Sequence, residues 1–309
     1  MQRRRFLAGT GATGLAALVG CSGILGDGSA AGSDAEPFAR WAPARDPNPD
    51  RTYNYEIGAL QPSAVLAASD EITPADLSPG VPHESVAWDA LAASDVERVI
   101  DLSAGGAASP RTVAIFDGDV DPATIVSALD ERPNYDREHL GDYRGYEIHG
   151  TGAGFFFHAV RDGRVLEVDR YAYSEADREL VESVIDLGEG DGDRLLDSHD
   201  GFATAATRLD ATHWTSVRLE DPDRETDVEQ GRFRGVVATG ASATVADGGS
   251  TVRALLAFRD VDARRSAPIE PYVDQIRAED TVESVDFASE GRILDVTLRL
   301  DYPAPFVSG

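Results

Sequence analysis

The chain is 309 residues long with a formal charge of −27, and its 28 basic residues, all arginine, face 55 acidic ones. Acids spread at this density repel one another in dilute buffer, whereas molar salt shortens the Debye length to about 3 Å and screens the repulsion. The balance disfavours a nucleic-acid partner, which needs a basic patch, and a single cysteine excludes a disulfide framework or a Cys-ligated metal.

Residues 1–20 have the order of a secretory signal: Arg3, Arg4 and Arg5, then Phe6 and Leu7, then a mild apolar run ending in Leu18-Val19-Gly20 before Cys21. At about 15 residues the run is shorter than the roughly 20 that a spanning helix needs. Paired arginines ahead of Phe6-Leu7 resemble the signals of the twin-arginine route, so that translocase is the expected export partner. Leu18-Val19-Gly20-Cys21 resembles a lipobox, in which the cysteine thiol is lipidated and becomes the new N-terminus. Two acyl chains there suffice for stable membrane attachment. The chain's one cysteine stands where this chemistry requires it. Gly9-Thr10-Gly11-Ala12-Thr13-Gly14 fits the dinucleotide-binding glycine pattern by letter, but it lies inside the apolar run with no strand before it.

Residues 21–50, rich in Gly, Ser, Ala, Asp and Pro, read as a flexible tether. Residues 51–309 read as an α+β ectodomain. Helices are expected at five places. Ser85 leads into Trp88, Leu91, Ala92, Val99 and Ile100, and Asp121-Pro122 into Ile125, Val126 and Leu129. Ser174 leads into Leu180, Val181, Val184 and Ile185, Asp200 into Phe202, Ala205, Ala206 and Leu209, and Pro268 into Ile269, Tyr272, Val273 and Ile276.

Ten strands are expected between them: 53–60, 112–116, 146–149, 154–160, 165–169, 213–219, 235–245, 252–258, 282–287 and 293–300. Asp162-Gly163 and Glu290-Gly291 mark hairpins. In the last strand Leu294, Val296, Leu298 and Leu300 alternate with Asp295, Thr297 and Arg299, which predicts one wet face. The pattern implies antiparallel, hairpin-rich sheets with helices packed on one face. Tyr143-Arg144-Gly145 and Phe233-Arg234-Gly235, each followed at the same offset by Gly150 or Gly240, suggest two similar halves, 51–195 and 196–309.

Several constellations invite chemistry and fall short of it. Asp117, Asp119 and Asp121 open with calcium-loop spacing, but Pro122 and Ala128 stand where an EF-hand needs Gly and Glu. Asp186, Glu189, Asp191 and Asp193 lack regular ligand spacing. His149 and His158, with His139 nearby, approach across strands without the third convergent ligand a metal site needs. Ser198-His199-Asp200 is contiguous, whereas triad members converge from separate segments. Trp41 falls in the tether, Trp88 on a helix face and Trp214 at a strand start. Phe155-Phe156-Phe157 reads as a buried central strand.

The lysine-free, acidic composition resembles proteins of haloarchaea, since arginine is weakly hydrated and pairs bidentately with carboxylates. The succession Asp119-Val120-Asp121-Pro122, Tyr143-Arg144-Gly145-Tyr146-Glu147-Ile148, Asp162-Gly163-Arg164-Val165-Leu166, a helix ending near Gly188, then Leu195 and Phe202 resembles an uncharacterised family of exported lipoprotein domains of haloarchaea and bacteria. The resemblance implies export and no particular chemistry. The expectation is a halophile's lipid-anchored protein on the outer membrane face, with a non-enzymatic binding or scaffolding role and no cofactor. The alternatives are a solute-binding lipoprotein of a transporter and an envelope hydrolase using His149, His158 or an acidic pair.

Overall fold

The computed structural model describes residues 36–44, 55–80, 85–104, 111–132, 136–151, 156–170, 176–210, 212–246, 248–304 and 306. The export signal at 3–7, the lipobox at 18–20, Cys21 and the glycine pattern at 9–14 lie outside the described residues, as do Ser174 and Phe155. Contacts divide the chain into an N-terminal unit, residues 38–67 and 73–198, and a C-terminal unit that takes residues 68–72 and the chain from His199 onward.

After a short helix α1 (Glu36–Ala39), the N-terminal unit runs through β1 (Glu56–Leu60), α2 (Pro62–Ala68), a 3-10 turn (Pro74–Gly80), α3 (Val86–Ala90), β2 (Val96–Ala104), β3 (Arg111–Gly118) and α4 (Pro122–Glu131). Then come β4 (Arg137–Tyr143), β5 (Tyr146–Thr151), β6 (Phe156–Arg161), β7 (Arg164–Arg170), α5 (Ala176–Glu189) and α6 (Leu195–Ser198). Its strands lie in the order β1-β2-β3-β7-β6-β5-β4, each pair antiparallel. The four-strand meander that follows α4 therefore returns so that its last strand, β7, pairs with β3. Val113, Ala114, Ile115 and Phe116 are all buried, as are Val165, Leu166, Glu167 and Val168, so the middle of this sheet is covered on both faces. The N-terminus of α3 reaches one face at Glu167. On the other, Tyr143, cross-strand from Tyr146, reaches Asp186 of α5.

The C-terminal unit comprises α7 (Asp200–Arg208), β8 (Trp214–Leu219), β9 (Val236–Ala246), β10 (Gly249–Phe258), α8 (Val261–Ser266), α9 (Ile269–Arg277), β11 (Val282–Glu290) and β12 (Ile293–Leu300). Strand order is β11-β12-β10-β9-β8, again antiparallel. Val252, Ala254, Leu256 and Phe258 of β10 and Leu294, Val296, Leu298 and Leu300 of β12 form one apolar core with Tyr272, Val273 and Ile276 of α9. Burying each Val, Leu or Ile there contributes about 1.5–3 kcal/mol. The opposite face receives α7: a Cβ on Gly240 of β9 would stand 2.9 Å from Leu209 and 3.3 Å from Ala205. Helices thus flank both faces, and the expectation of helices on one face is corrected. For the same reason the expected wet face of β12 is half covered: Thr297 is buried, and Asp295 pairs with Arg253 at 2.8 Å.

Three other expectations change. The helix begun at Ser85 ends at Ala90, and Val99 and Ile100 belong to β2. A short run rich in β-branched residues fits either periodicity, and strand pairing decides between them. Phe38, Ala39, Trp41 and Ala42, assigned to the tether by composition, are buried, with Ala44 N–H donating to the Asp193 carbonyl at 2.8 Å and Leu195 N–H to that of Ala42 at 2.9 Å. Tyr143-Arg144-Gly145 closes the β4–β5 turn, with positive φ at Arg144 and Gly145, while Gly150 lies near the end of β5 and Gly240 mid-β9. The two glycines are therefore not equivalent.

Candidate functional site

The register of the N-terminal sheet aligns the histidines weighed in the sequence. His139 pairs with His149, His149 with His158, His158 with Glu167, Glu167 with Ala114, and Ala114 with Asp101. Cross-strand partners share a face, so a row of ionisable groups crosses β4, β5, β6, β7 and β2, interrupted only by Ala114 on β3. His149 and His158 are each 2% exposed and Glu167 is 8% exposed.

Glu167 is the centre of the row. Its Oε2 accepts from the Ser85 hydroxyl at 2.5 Å, and its Oε1 accepts from the Ala87 amide at 2.7 Å and lies 3.3 Å from His158 Nε2. Ser85 is also the N-cap of α3, its Oγ accepting from Trp88 N–H at 3.0 Å. Burial pushes the Glu167 carboxyl up, but the hydrogen bond and charge of His158, with the Ser85 and Ala87 donors, outweigh it and hold the pKa below the usual range.

His149 is set differently. Arg137 approaches its Nδ1 at 3.2 Å, and a guanidinium only donates, so Nδ1 is the acceptor and the proton sits on Nε2. Arg137 is itself held by Asp130 at the end of α4, through contacts of 2.7 and 3.0 Å. The buried Nε2 has no hydrogen bond; Glu147 Oε2 stands 3.5 Å away. Burial, then the charges of Arg137 and His139, pull the His149 pKa down. His139 is exposed, its ring 5.4 Å from that of His149 and its Nε2 3.2 Å from Asp142. At the far end of the row, Asp101 has one buried carboxylate oxygen without a partner, and burial, then Glu56, pushes its pKa up to about 7.

This order of groups ties a helix to a sheet. A serine nucleophile is activated by a neighbouring base that accepts its proton, most often an imidazole. Here the Ser85 hydroxyl donates its hydrogen bond to a carboxylate, and His158 lies on that carboxylate's other oxygen. Most of the other sequence candidates also serve the structure. Asp117 pairs with Arg164, and Asp121 caps α4 through the amides of Ala123 and Thr124. Asp186 and Asp191 each lie 2.7 Å from Arg144, and Glu189 lies 2.8 Å from Arg161. His199, not Asp200, caps α7, its Nδ1 accepting from Phe202 N–H at 3.0 Å. Phe156 and Phe157 lie on the interior strand β6 but are half-buried. Among the described residues no three His, Cys, Asp or Glu side chains are placed to hold a metal ion, and no helix is long and apolar enough to cross a membrane.

Glu167 and Asp101 were not singled out in the sequence. The available signal was a carboxylate inside a strand-like apolar run, Val165-Leu166-Glu167-Val168 and Val99-Ile100-Asp101-Leu102.

These units define the chain as an α+β protein with an extensive antiparallel sheet. No protein-family model matches it, and no curated protein matches it significantly. Among solved structures, crystal form III of TP0453 is similar with a TM-score of 0.53 and 11% identity, over 86% of this chain and 94% of that one. Crystal form IV of the same protein gives 0.48 and 11%, over 81% and 90%. At this identity the likeness is one of fold alone.

Proposed function

We propose that this chain is a surface protein of a halophile, exported through the twin-arginine translocase by Arg3–Leu7. In this reading a lipid on Cys21, behind Leu18-Val19-Gly20, holds it to the outer face of the membrane, where it has a non-enzymatic binding or scaffolding role. The observation that carries the reading is the position of the only cysteine, directly after the small-residue end of a signal-like segment. The Ser85–Glu167–His158 arrangement supports the non-enzymatic part, because the polar groups best placed for chemistry already satisfy one another. Arginine-to-acid pairs spread over both units, such as Arg144 with Asp186 and Asp191, and Arg253 with Asp210 and Asp295, accord with an acidic surface adapted to brine.

Replacing the anchor tests this reading. Wild type should partition with membranes and be released by detergent, and Cys21→Ser should appear in the medium. A Cys21→Ser chain that stays with the membrane contradicts the lipid anchor. Circular dichroism should show a folded protein in molar KCl and loss of structure on dilution; equal stability in dilute buffer contradicts the halophilic part.

The two halves are also proposed to be a duplication, in a register other than the glycine pairing. Each unit lays down three antiparallel strands, β1-β2-β3 and β8-β9-β10. Each then turns into an Asp-capped helix, at Asp121 or Asp260, and returns a meander whose last strand, β7 or β12, pairs with the third. The buried Phe116 and Phe258 precede these turns, in Phe116-Asp117-Gly118-Asp119-Val120-Asp121 and Phe258-Arg259-Asp260-Val261-Asp262. Superposing the units should lay Phe116 on Phe258; a better fit in another register contradicts the duplication.

A further inference from the structure

In a chain with an excess of 27 negative charges, a concentration of guanidinium groups calls for a reason. One occurs in the N-terminal unit, where the segment after α1 meets the ends of β2, β3 and β7. Pro43, two residues after Trp41, bridges antiparallel to Arg194. Trp41 is 1% exposed, and its ring lies over Gly188, where an added Cβ would come within 2.1 Å of the indole. The Arg164 guanidinium lies 5.0 Å from the indole centre and that of Arg40 5.6 Å. Arg98 stands cross-strand from Asp117, and Arg164 is ion-paired with it.

The guanidinium groups of Arg40 and Arg164 share the Trp41 ring, and the charges of Arg164, Arg98 and Arg194 all act on Arg40. Asp117 is the carboxylate that most opposes them at Arg40. Two donors there are buried and without a hydrogen-bond partner, Arg40 Nε and the Trp41 indole Nε1–H. A buried donor left unmade costs about 1–3 kcal/mol, more when charged, and like charges add to the cost. Burial, then Arg164, with Arg98 and Arg194 adding to it, depress the Arg40 pKa against the opposing charge of Asp117. An anion reverses each of these penalties at once. Guanidinium forks match tetrahedral oxyanions bidentately, and an indole N–H adds a neutral donor.

We propose that Arg40, Arg98, Arg194 and the Trp41 indole, with Arg164 held back by Asp117, form a binding site for a phosphate-class oxyanion. Arg40 and Arg98 are half-buried, which leaves the site a route to solvent. Both a free inorganic anion and the phosphate of an anionic lipid headgroup have this chemistry. The headgroup source alone rests on the membrane anchor proposed above.

The test uses the full chain carrying Cys21→Ser, in molar KCl at matched ionic strength. Inorganic phosphate should raise the thermal midpoint saturably, by about 3–8 °C, as expected for a ligand that binds only the folded state. The rise should vanish in Arg40→Gln and weaken in Arg98→Gln, the second variant serving if the first does not fold. No rise beyond that of matched KCl overturns the site, and so does a full rise retained in a folded Arg40→Gln or Arg98→Gln. Flotation on phosphatidylglycerol vesicles, competed by free phosphate, assigns the site to headgroups; phosphate binding without flotation assigns it to the free anion. Neither vesicle result depends on whether Cys21 is lipidated in the cell.

Discussion

The two units build similar strand orders around different interiors. In the C-terminal unit the core is aliphatic and aromatic, and its ion pairs lie outside that core: Arg208 with Glu290 at 2.7 Å, Arg253 with Asp295 at 2.8 Å, Arg292 with Asp200. In the N-terminal unit a histidine–carboxylate row runs through the buried face of the sheet. The difference shows where charge matters energetically. Exposed pairs are worth little and are screened further by salt. A buried carboxylate with several donors is strongly coupled to folding, because removing it strands every partner.

The largest effect should come from the centre of the row. Glu167→Ala leaves the Ser85 hydroxyl, the Ala87 amide and His158 without their acceptor, and should destabilise by about 3–5 kcal/mol in a urea titration in molar KCl. Glu167→Gln keeps an acceptor and should cost less. Equal, small losses from both would place the helix tie elsewhere.

Asp101 should give an effect of intermediate size and opposite sign. Its folded pKa of about 7 lies above the ordinary carboxylate value, so the folded state holds its proton more tightly. The contribution of Asp101 to stability is thus full below about pH 4 and is lost as pH rises towards 7. Asp101→Asn should stabilise on the order of 1–2 kcal/mol at pH 8 and change little at pH 4. His149 works the other way. Its folded pKa is depressed, so its contribution is present above the unfolded value near 6.5 and is lost on acidification. A steeper loss of stability below pH 6 in the Asp101→Asn background would separate the two groups. A pH-independent gain would show that Asp101 is ionised at neutral pH in the fold.

The smallest effect is expected at the margin of the C-terminal unit. The side chains of Arg208 and Glu290 are 40% and 78% exposed, so Arg208→Ala should shift stability by no more than about 0.5 kcal/mol in molar salt. A loss as large as that of Glu167→Ala would erase the contrast between the units.

Legibility in the sequence followed the same contrast. Local chemistry was readable: Ser85 and Asp121 as helix starts, the Asp162-Gly163 turn, and the face of α9 all depend on neighbours within a few residues. Long-range chemistry was not. The row exists because register brings residues 149, 158 and 167 abreast, and the apolar run around Glu167 marks a buried carboxylate without showing its partners. Strand β4, Arg137–Tyr143, has no apolar alternation and is held by pairing with β5. Trp41 was misread because Pro and Ala around it resemble a linker, while Phe38 and Trp41, three residues apart, supply the apolar contact that docks it.

The proposed surface anchor depends on the lipid at Cys21, and mass spectrometry of the N-terminal peptide from native membranes tests it most directly. The predicted result is a peptide beginning at Cys21 with a lipid on its sulfur. A chain recovered with Met1 in place and an unmodified thiol, free of the membrane, would contradict it.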